Sequence, residues 1–230
     1  MNSYKLICFF TLIFLFSIKL NAQDLDYKEE QLTHNSFDNR YASYNSEGNL
    51  IIFESNRDGN WQIYSMDVNG NHQKRLFNSK SNDRRPTWHP SKNIILFESD
   101  RSGRSKIYSY YLSSRVMSKI PIPLKGNKSF AQFAPNGTEL VFNYKINDNN
   151  FNIYRISLKG KRLKSVIKNG HKNLQPHYSP RGDAIVYFSR KHTKDKGDEI
   201  YAYNIIIKEE ARLTNSPQHS FSPNWSHNGR

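Results

Sequence analysis

Trp88-His89-Pro90-Ser91-Lys92, Ile94–Phe97, Ser99-Asp100-Arg101-Ser102-Gly103 and Ile107-Tyr108 together form the stretch on which the whole chain is read. An aromatic residue opens a turn, and a short, nearly continuous apolar segment comes next, as a strand covered on both faces requires. A polar stretch with a late Gly then marks a tight hairpin, because Gly accepts the positive φ such turns need. Ile and Tyr side by side on the next strand face opposite ways, so one pair fills two separate interfaces. Each such side chain contributes roughly 1.5–3 kcal/mol when buried.

The same unit recurs on both sides. Its aromatic anchors are Tyr44, Trp88, Phe133, Tyr178 and Trp225, spaced 44, 45, 45 and 47 residues apart. Apolar strands come after them at Leu50–Phe53, Glu139–Phe142 and Ala184–Phe188, a second hairpin at Ser55-Asn56-Arg57-Asp58-Gly59, and Ile-Tyr pairs at 63–64, 153–154 and 200–201. A period near 45 is that of a four-stranded propeller blade. The reading is an all-β propeller of four-stranded antiparallel blades, with four complete repeats and the start of a fifth. Trp225–Arg230 opens that fifth copy, so the chain reads as an incomplete ring and an N-terminal fragment of a longer protein. Gln31-Leu32-Thr33 matches the outer-strand endings Arg75-Leu76-Phe77 and Arg212-Leu213-Thr214, each Leu standing 12 residues before an anchor. The N-terminal copy therefore reads as the outermost strand of the last blade, which would close the ring and hide a sheet edge.

Residues 1–22 stand apart. Lys5 precedes an apolar run, Leu6–Ile18, that is too short to span a bilayer, and Ala22 offers a cleavage point. This is the pattern of a secretory signal peptide, with 23–30 as a short linker and 31–230 as the repeats. The only cysteine, Cys8, lies within the leader, so the exported chain would carry no thiol or disulfide. Net charge is +14, and loss of Lys5 and Lys19 leaves +12.

The anchor–turn–Gly element, the apolar strand and Ser-Asp-Arg-x-Gly before Ile-Tyr resemble the WD-like repeat of the TolB propeller family over residues 31–230. Related repeats occur in tricorn-like and dipeptidyl-peptidase-like propellers. The chain departs from TolB in having only Gln23–Glu30 where TolB carries an α/β domain. The resemblance implies an exported, non-catalytic scaffold for protein–protein interaction in the bacterial periplasm or cell envelope. The alternative it implies is the N-terminal propeller of a serine peptidase whose catalytic domain lies beyond Arg230. A metal-dependent, oligogalacturonide-lyase-like propeller is a third reading.

The chain contains no Gly-x-Ser-x-Gly elbow, no His-Glu-x-x-His and no phosphate loop, and no cofactor is expected. Ser179 and Ser226 recur at equivalent turn positions and read as structural. His34, His171 and His219 fall in loops joining one blade to the next and are the candidate metal ligands, although their offsets to the anchors differ. His89, His177 and His227 adjoin anchors and read as packing or turn residues. Asn147-Asp148-Asn149-Asn150 reads as a turn, since it lacks the acidic twelfth position of a calcium loop. Lys80, Arg84, Arg85, Lys125, Lys128, Lys168 and Lys172 cluster on the inter-blade loops. They form either a docking face for an acidic protein, polysaccharide or anionic surface, or ordinary solvated surface. An envelope protein is the expected partner. Nucleic acid is not expected, nor is a membrane span after leader cleavage.

Overall fold

The computed structural model describes residues 29–191, 197–226, 228 and 229. The expected signal peptide, most of the expected linker and His227 lie outside them. By its contacts the chain divides between Gln31 and Leu32. The unit beginning at Leu32 carries every described strand.

Sixteen strands form four antiparallel four-stranded sheets among the described residues. The first blade runs β1 (Asn39–Tyr44), β2 (Leu50–Ser55), β3 (Gln62–Asp67) and β4 (Lys74–Arg75). The second runs β5 (Asp83–Trp88), β6 (Ile94–Ser99), β7 (Lys106–Tyr111) and β8 (Val116–Lys119). The third has β9 (Lys128–Phe133), β10 (Glu139–Asn147), β11 (Asn150–Ser157) and β12 (Lys164–Ile167). The fourth has β13 (Asn173–Tyr178), β14 (Ala184–Ser189), β15 (Glu199–Asn204) and β16 (Glu209–Arg212). The four repeats are thus four propeller blades.

The Ile-Tyr pairs divide as the strand period requires. Ile63 packs toward the second blade with Ile52, Trp88, Ile95, Phe97 and Tyr108. Ile107 packs toward the third with Leu96, Phe133, Leu140 and Phe142, and Ile153 toward the fourth with Ile185, Tyr187 and Tyr201. Each Tyr turns the other way and stacks on an aromatic partner directly across the ladder. These pairs are Phe53–Tyr64 at 5.7 Å, Phe97–Tyr108 at 5.8 Å, Phe142–Tyr154 at 6.1 Å and Tyr187–Tyr201 at 5.8 Å between centroids. Such pairs contribute about 0.5–1.5 kcal/mol beyond area burial.

The hairpin arginines are structural. Arg57 donates to Ser55 Oγ and Asn39 Oδ1 and lies 4.4 Å from the Tyr64 ring centroid. Arg101 repeats this with Ser99 Oγ, both Asp83 carboxylate oxygens and the Tyr108 ring. Each therefore ties hairpin, inner strand and third strand together.

The anchors lock blade to blade. Trp88 Nε1 donates to Ser43 O at 3.0 Å, and Trp225 Nε1 donates to His177 O at 3.1 Å. The fifth turn sits on the fourth as the fourth sits on the third, with Gly229 against Pro180 and Gly182 against Pro135. Tyr44 differs: it is 58% exposed, against 7% for Trp88 and 8% for Phe133. An anchor is buried by the inner strand of the blade before it, and no described blade precedes Tyr44.

Leu32 and Thr33 belong to no strand. Leu32 nevertheless packs against Ile51, Phe53, Tyr64 and Met66, as Leu76 packs against the corresponding face of the second blade. Gln73 Nε2 donates to the Leu32 carbonyl. A Cβ on Gly70 would lie 2.5 Å from that oxygen, just as one on Gly160 would lie 2.3 Å from Pro121 O. Leu32 thus occupies an outer-strand place without the ladder expected from its sequence.

Candidate functional site at the propeller channel

Every inner strand breaks its ladder at the same point. The register shifts between Arg40 and Ser43, Arg84 and Thr87, and Leu174 and His177, and in β9 opposite Val141 and Asn143. Each bulge holds a left-handed non-glycine residue three positions before the anchor: Tyr41 at φ 52°, Arg85 at 49°, Phe130 at 52° and Gln175 at 53°. Ser222 takes the same conformation, at φ 55°, before Trp225. Bulges re-aim side chains, and these five residues line a shared channel of about 460 Å³ together with Ser43, Thr87, Gln132 and His177.

The left-handed conformation costs roughly 1–3 kcal/mol at each such residue. At Arg85, Phe130 and Gln175 it is held by a polar side chain in the second strand of the preceding blade. Glu54 Oε2 accepts Arg85 N–H at 2.6 Å, Glu98 Oε1 accepts Phe130 N–H at 2.6 Å, and Asn143 Oδ1 accepts Gln175 N–H at 3.0 Å. All three side chains are buried. Burial pushes the Glu54 and Glu98 carboxyls up, and the nearby Arg85 partly offsets this.

Arg85 is the hub. It donates to Glu98 Oε2 at 2.7 Å and lies 4.2 Å from the Phe130 ring centroid and 5.5 Å from that of Tyr41. It lines the channel and also a mouth of about 250 Å³ formed by Asn82, Arg84, Asp100, Asn127, Lys145, Phe151 and their neighbours. Among the described residues no hydrogen-bond partner is placed on the buried atoms Arg85 Nε and Gln175 Oε1. Both belong to channel-lining residues, and buried polar atoms ordinarily find a partner in protein, water or ligand. The channel wall therefore offers the partly exposed Arg85 cation and the rings of Tyr41 and Phe130. His177 sits in the same wall, and burial pushes its imidazole down to about 4, so it is neutral at neutral pH.

The seven basic residues singled out in the sequence occupy different environments. Lys80, Lys125 and Lys168 are exposed. Arg84 lies 5.6 Å from the Trp61 centroid, with Arg40 at 4.9 Å from the same ring. Lys172 lies 5.7 Å from the Phe151 centroid, with Lys145 at 5.8 Å. Arg85 is engaged with Glu98 inside the channel. Lys128 is only 1% exposed, so it is not a surface cation. Arg84, Arg85 and Lys128 meet around the channel mouth.

The three loop histidines serve separate blade junctions. His171 donates its backbone N–H to Asn169 Oδ1, His219 Nδ1 accepts Asp198 N–H at 2.9 Å, and His34 is exposed. Among the described residues no group of three or more His, Cys, Asp or Glu side chains is placed to hold a metal ion. His89 is a turn residue: it packs on Phe133 and bonds Gly137 O at 3.1 Å. Ser179 Oγ bonds Asp183 within its turn. No described helix is long and apolar enough to cross a membrane.

Sequence reasoning missed Tyr41, Phe130, Gln175, Ser222, Glu54, Glu98 and Asn143. The available signals were a polar residue after each of Phe53, Phe97 and Phe142, and a Pro or Ala two positions before each anchor.

Among solved structures, TolB from Acinetobacter baumannii is similar at TM-score 0.74 and 19% identity, covering 86% of this chain and 48% of that one. The chain thus spans about half the length of that relative. A putative TolB from Agrobacterium tumefaciens superposes at TM-score 0.67 and 20% identity, with 82% and 70% covered. A Mycobacterium tuberculosis puromycin-hydrolyzing peptidase superposes at TM-score 0.60 and 12% identity, with 78% and 31% covered. These likenesses concern the fold. No curated protein sequence matches the chain. The family model for the TolB beta propeller domain matches residues 17–228, which takes in all four blades and the fifth anchor. The chain belongs to the TolB beta propeller domain family.

Proposed function

We propose that this chain is an exported, non-catalytic binding scaffold of the bacterial periplasm or cell envelope, whose channel holds a segment of a protein partner. The observation that carries this reading is the Arg85 guanidinium, on a side chain 26% exposed along the channel, beside the rings of Tyr41 and Phe130. An extended peptide brings one backbone carbonyl per residue, an acceptor that the Arg85 guanidinium can meet. Tyr41 and Phe130 add flat apolar faces beside the Arg85 charge, a combination favoured at binding hot spots. The exposed Lys80, Lys125 and Lys168 on the inter-blade loops would favour the approach of an acidic partner or an anionic surface.

The test is capture from a bacterial envelope extract with wild-type protein, Arg85→Ala, and Lys159→Ala in an outer hairpin away from the channel. A partner retained by wild type and Lys159→Ala, and reduced at least tenfold by Arg85→Ala, supports the reading. Capture unaffected by Arg85→Ala, or no specific partner at all, contradicts it.

A further inference from the structure

The third blade breaks the repeat at one position, and what replaces the pattern has the makings of a second site. Five residues before each anchor, the inner strand begins with Asn39, Asp83, Lys128 or Asn173. In the first two blades this residue accepts hydrogen bonds from a hairpin arginine, Arg57 or Arg101. In the third blade the acceptor has become a lysine, and Ile146 stands where the arginine would be. Lys128 is buried, with its Nζ donating to the carbonyls of Leu124 and Gly126. Lys106 Nζ reaches the neighbouring carbonyl of Lys125 at 2.9 Å and that of Gly126 at 3.4 Å.

A second cation has lost its acid next door. Lys119 pairs across the ladder with Tyr108, as Arg75 pairs with Tyr64. Arg75 bonds Asp58 at 2.8 Å, but the second blade has Ser102 at the place of Asp58. Lys106, Lys119 and Lys128 line one cleft of about 340 Å³ at the second blade's flank, and its remaining wall is Ile107, Ile120, Pro121, Ile122 and Pro123. Among the described residues no carboxylate lines the cleft. The crowding is felt at Lys128, where burial and then the charges of Lys106, Arg104 and Lys119 push the ammonium down to about 7.

We infer that this cleft binds a small organic carboxylate: an anion to balance the charge of three lysines that no carboxylate in the lining offsets, carried on a flat apolar body that rests against the Ile and Pro wall. At about 30 Å³ per water the space holds about ten waters, which accommodates a six-membered ring bearing one carboxylate. A bare inorganic anion would leave the apolar wall unfilled. The cleft shares no lining residue with the channel itself, and of its lysines only Lys128 also reaches the channel mouth.

Benzoate and inorganic phosphate serve as the probes, titrated into the whole protein and followed by NMR shifts of the 106–107 and 119–123 amides. Saturable benzoate shifts confined to those residues are expected, with phosphate binding at least tenfold more weakly. Lys128→Met should weaken benzoate at least tenfold. Lys119→Met, an exposed change that leaves the Lys128 cradle intact, should weaken it several-fold. Benzoate affinity should also fall as pH rises from 6 to 9, because Lys128 loses its charge across that range. No saturable binding, phosphate binding as tightly as benzoate, or benzoate binding unchanged in Lys119→Met would each overturn the inference.

Discussion

Replacing Glu98 with Ala tests how the channel wall is held. Glu98 accepts Phe130 N–H at 2.6 Å and Arg85 Nη1–H at 2.7 Å, and its side chain is 5% exposed. Truncation leaves the Phe130 amide without its partner, which costs about 1–3 kcal/mol for a buried donor. It also leaves Arg85 without its carboxylate. Breaking a fully buried pair costs about 3–5 kcal/mol, but the Arg85 side chain is 26% exposed along the channel, so water recovers much of that. The expected loss is about 3–4 kcal/mol. Glu98→Gln keeps an acceptor for Phe130 and removes a charge that burial opposes, so about 1 kcal/mol is expected. The third blade already uses a neutral amide at this position, since Asn143 accepts Gln175 N–H. Urea unfolding followed by tryptophan fluorescence measures both variants. A loss below about 1 kcal/mol for Glu98→Ala, or equal losses for the two variants, would refute the view that this carboxylate pins the bulge.

His177 gives a pH signature. Its imidazole is depressed to about 4 by burial, so the unfolded chain takes up the proton first as pH falls. The neutral ring's contribution is intact above about pH 6.5 and is lost toward pH 4, by up to about 3 kcal/mol and less where channel water reaches the ring. Thermal melts across this range should show a steeper acid loss for wild type than for His177→Gln, and parallel curves would contradict the burial. Gly137 has φ 66°, and a Cβ there would lie 2.4 Å from the His89 ring, whereas Gly59 at φ 88° has open space around it. Gly137→Ala should therefore cost clearly more than the ~1 kcal/mol left-handed penalty expected for Gly59→Ala; equal melting shifts would count against the packed turn. Leu32→Asp should destabilise the first blade by about 2 kcal/mol through lost burial, read as faster hydrogen exchange in β2 and β3. Unchanged exchange there would show that Leu32 does not cover that face.

The blade architecture was legible because it rests on a period. Aromatic anchors and Ile-Tyr pairs recur at nearly fixed spacing, and strand alternation sends Ile107 and Tyr108 into different interfaces whatever their neighbours. The channel was not legible because it depends on breaks in that regularity. A bulge turns Arg85 inward, and nothing local in Arg84-Arg85-Pro86 says which arginine meets Trp61 and which meets Glu98. Charge counting also placed Lys128 among surface cations, whereas its position at the start of an inner strand buries it. Tyr44 matched its repeat in sequence yet is exposed, because burial of an anchor depends on a neighbouring blade and not on its own residues.

The most direct test of the proposed role is site-specific photocrosslinking in the living envelope, with the crosslinker at Gln132 in the channel wall and at Lys159 in the outer hairpin. A discrete protein adduct from position 132 and none from position 159 is the predicted result. An adduct from position 159 alone, or the same adducts from both, would contradict a partner held in the channel.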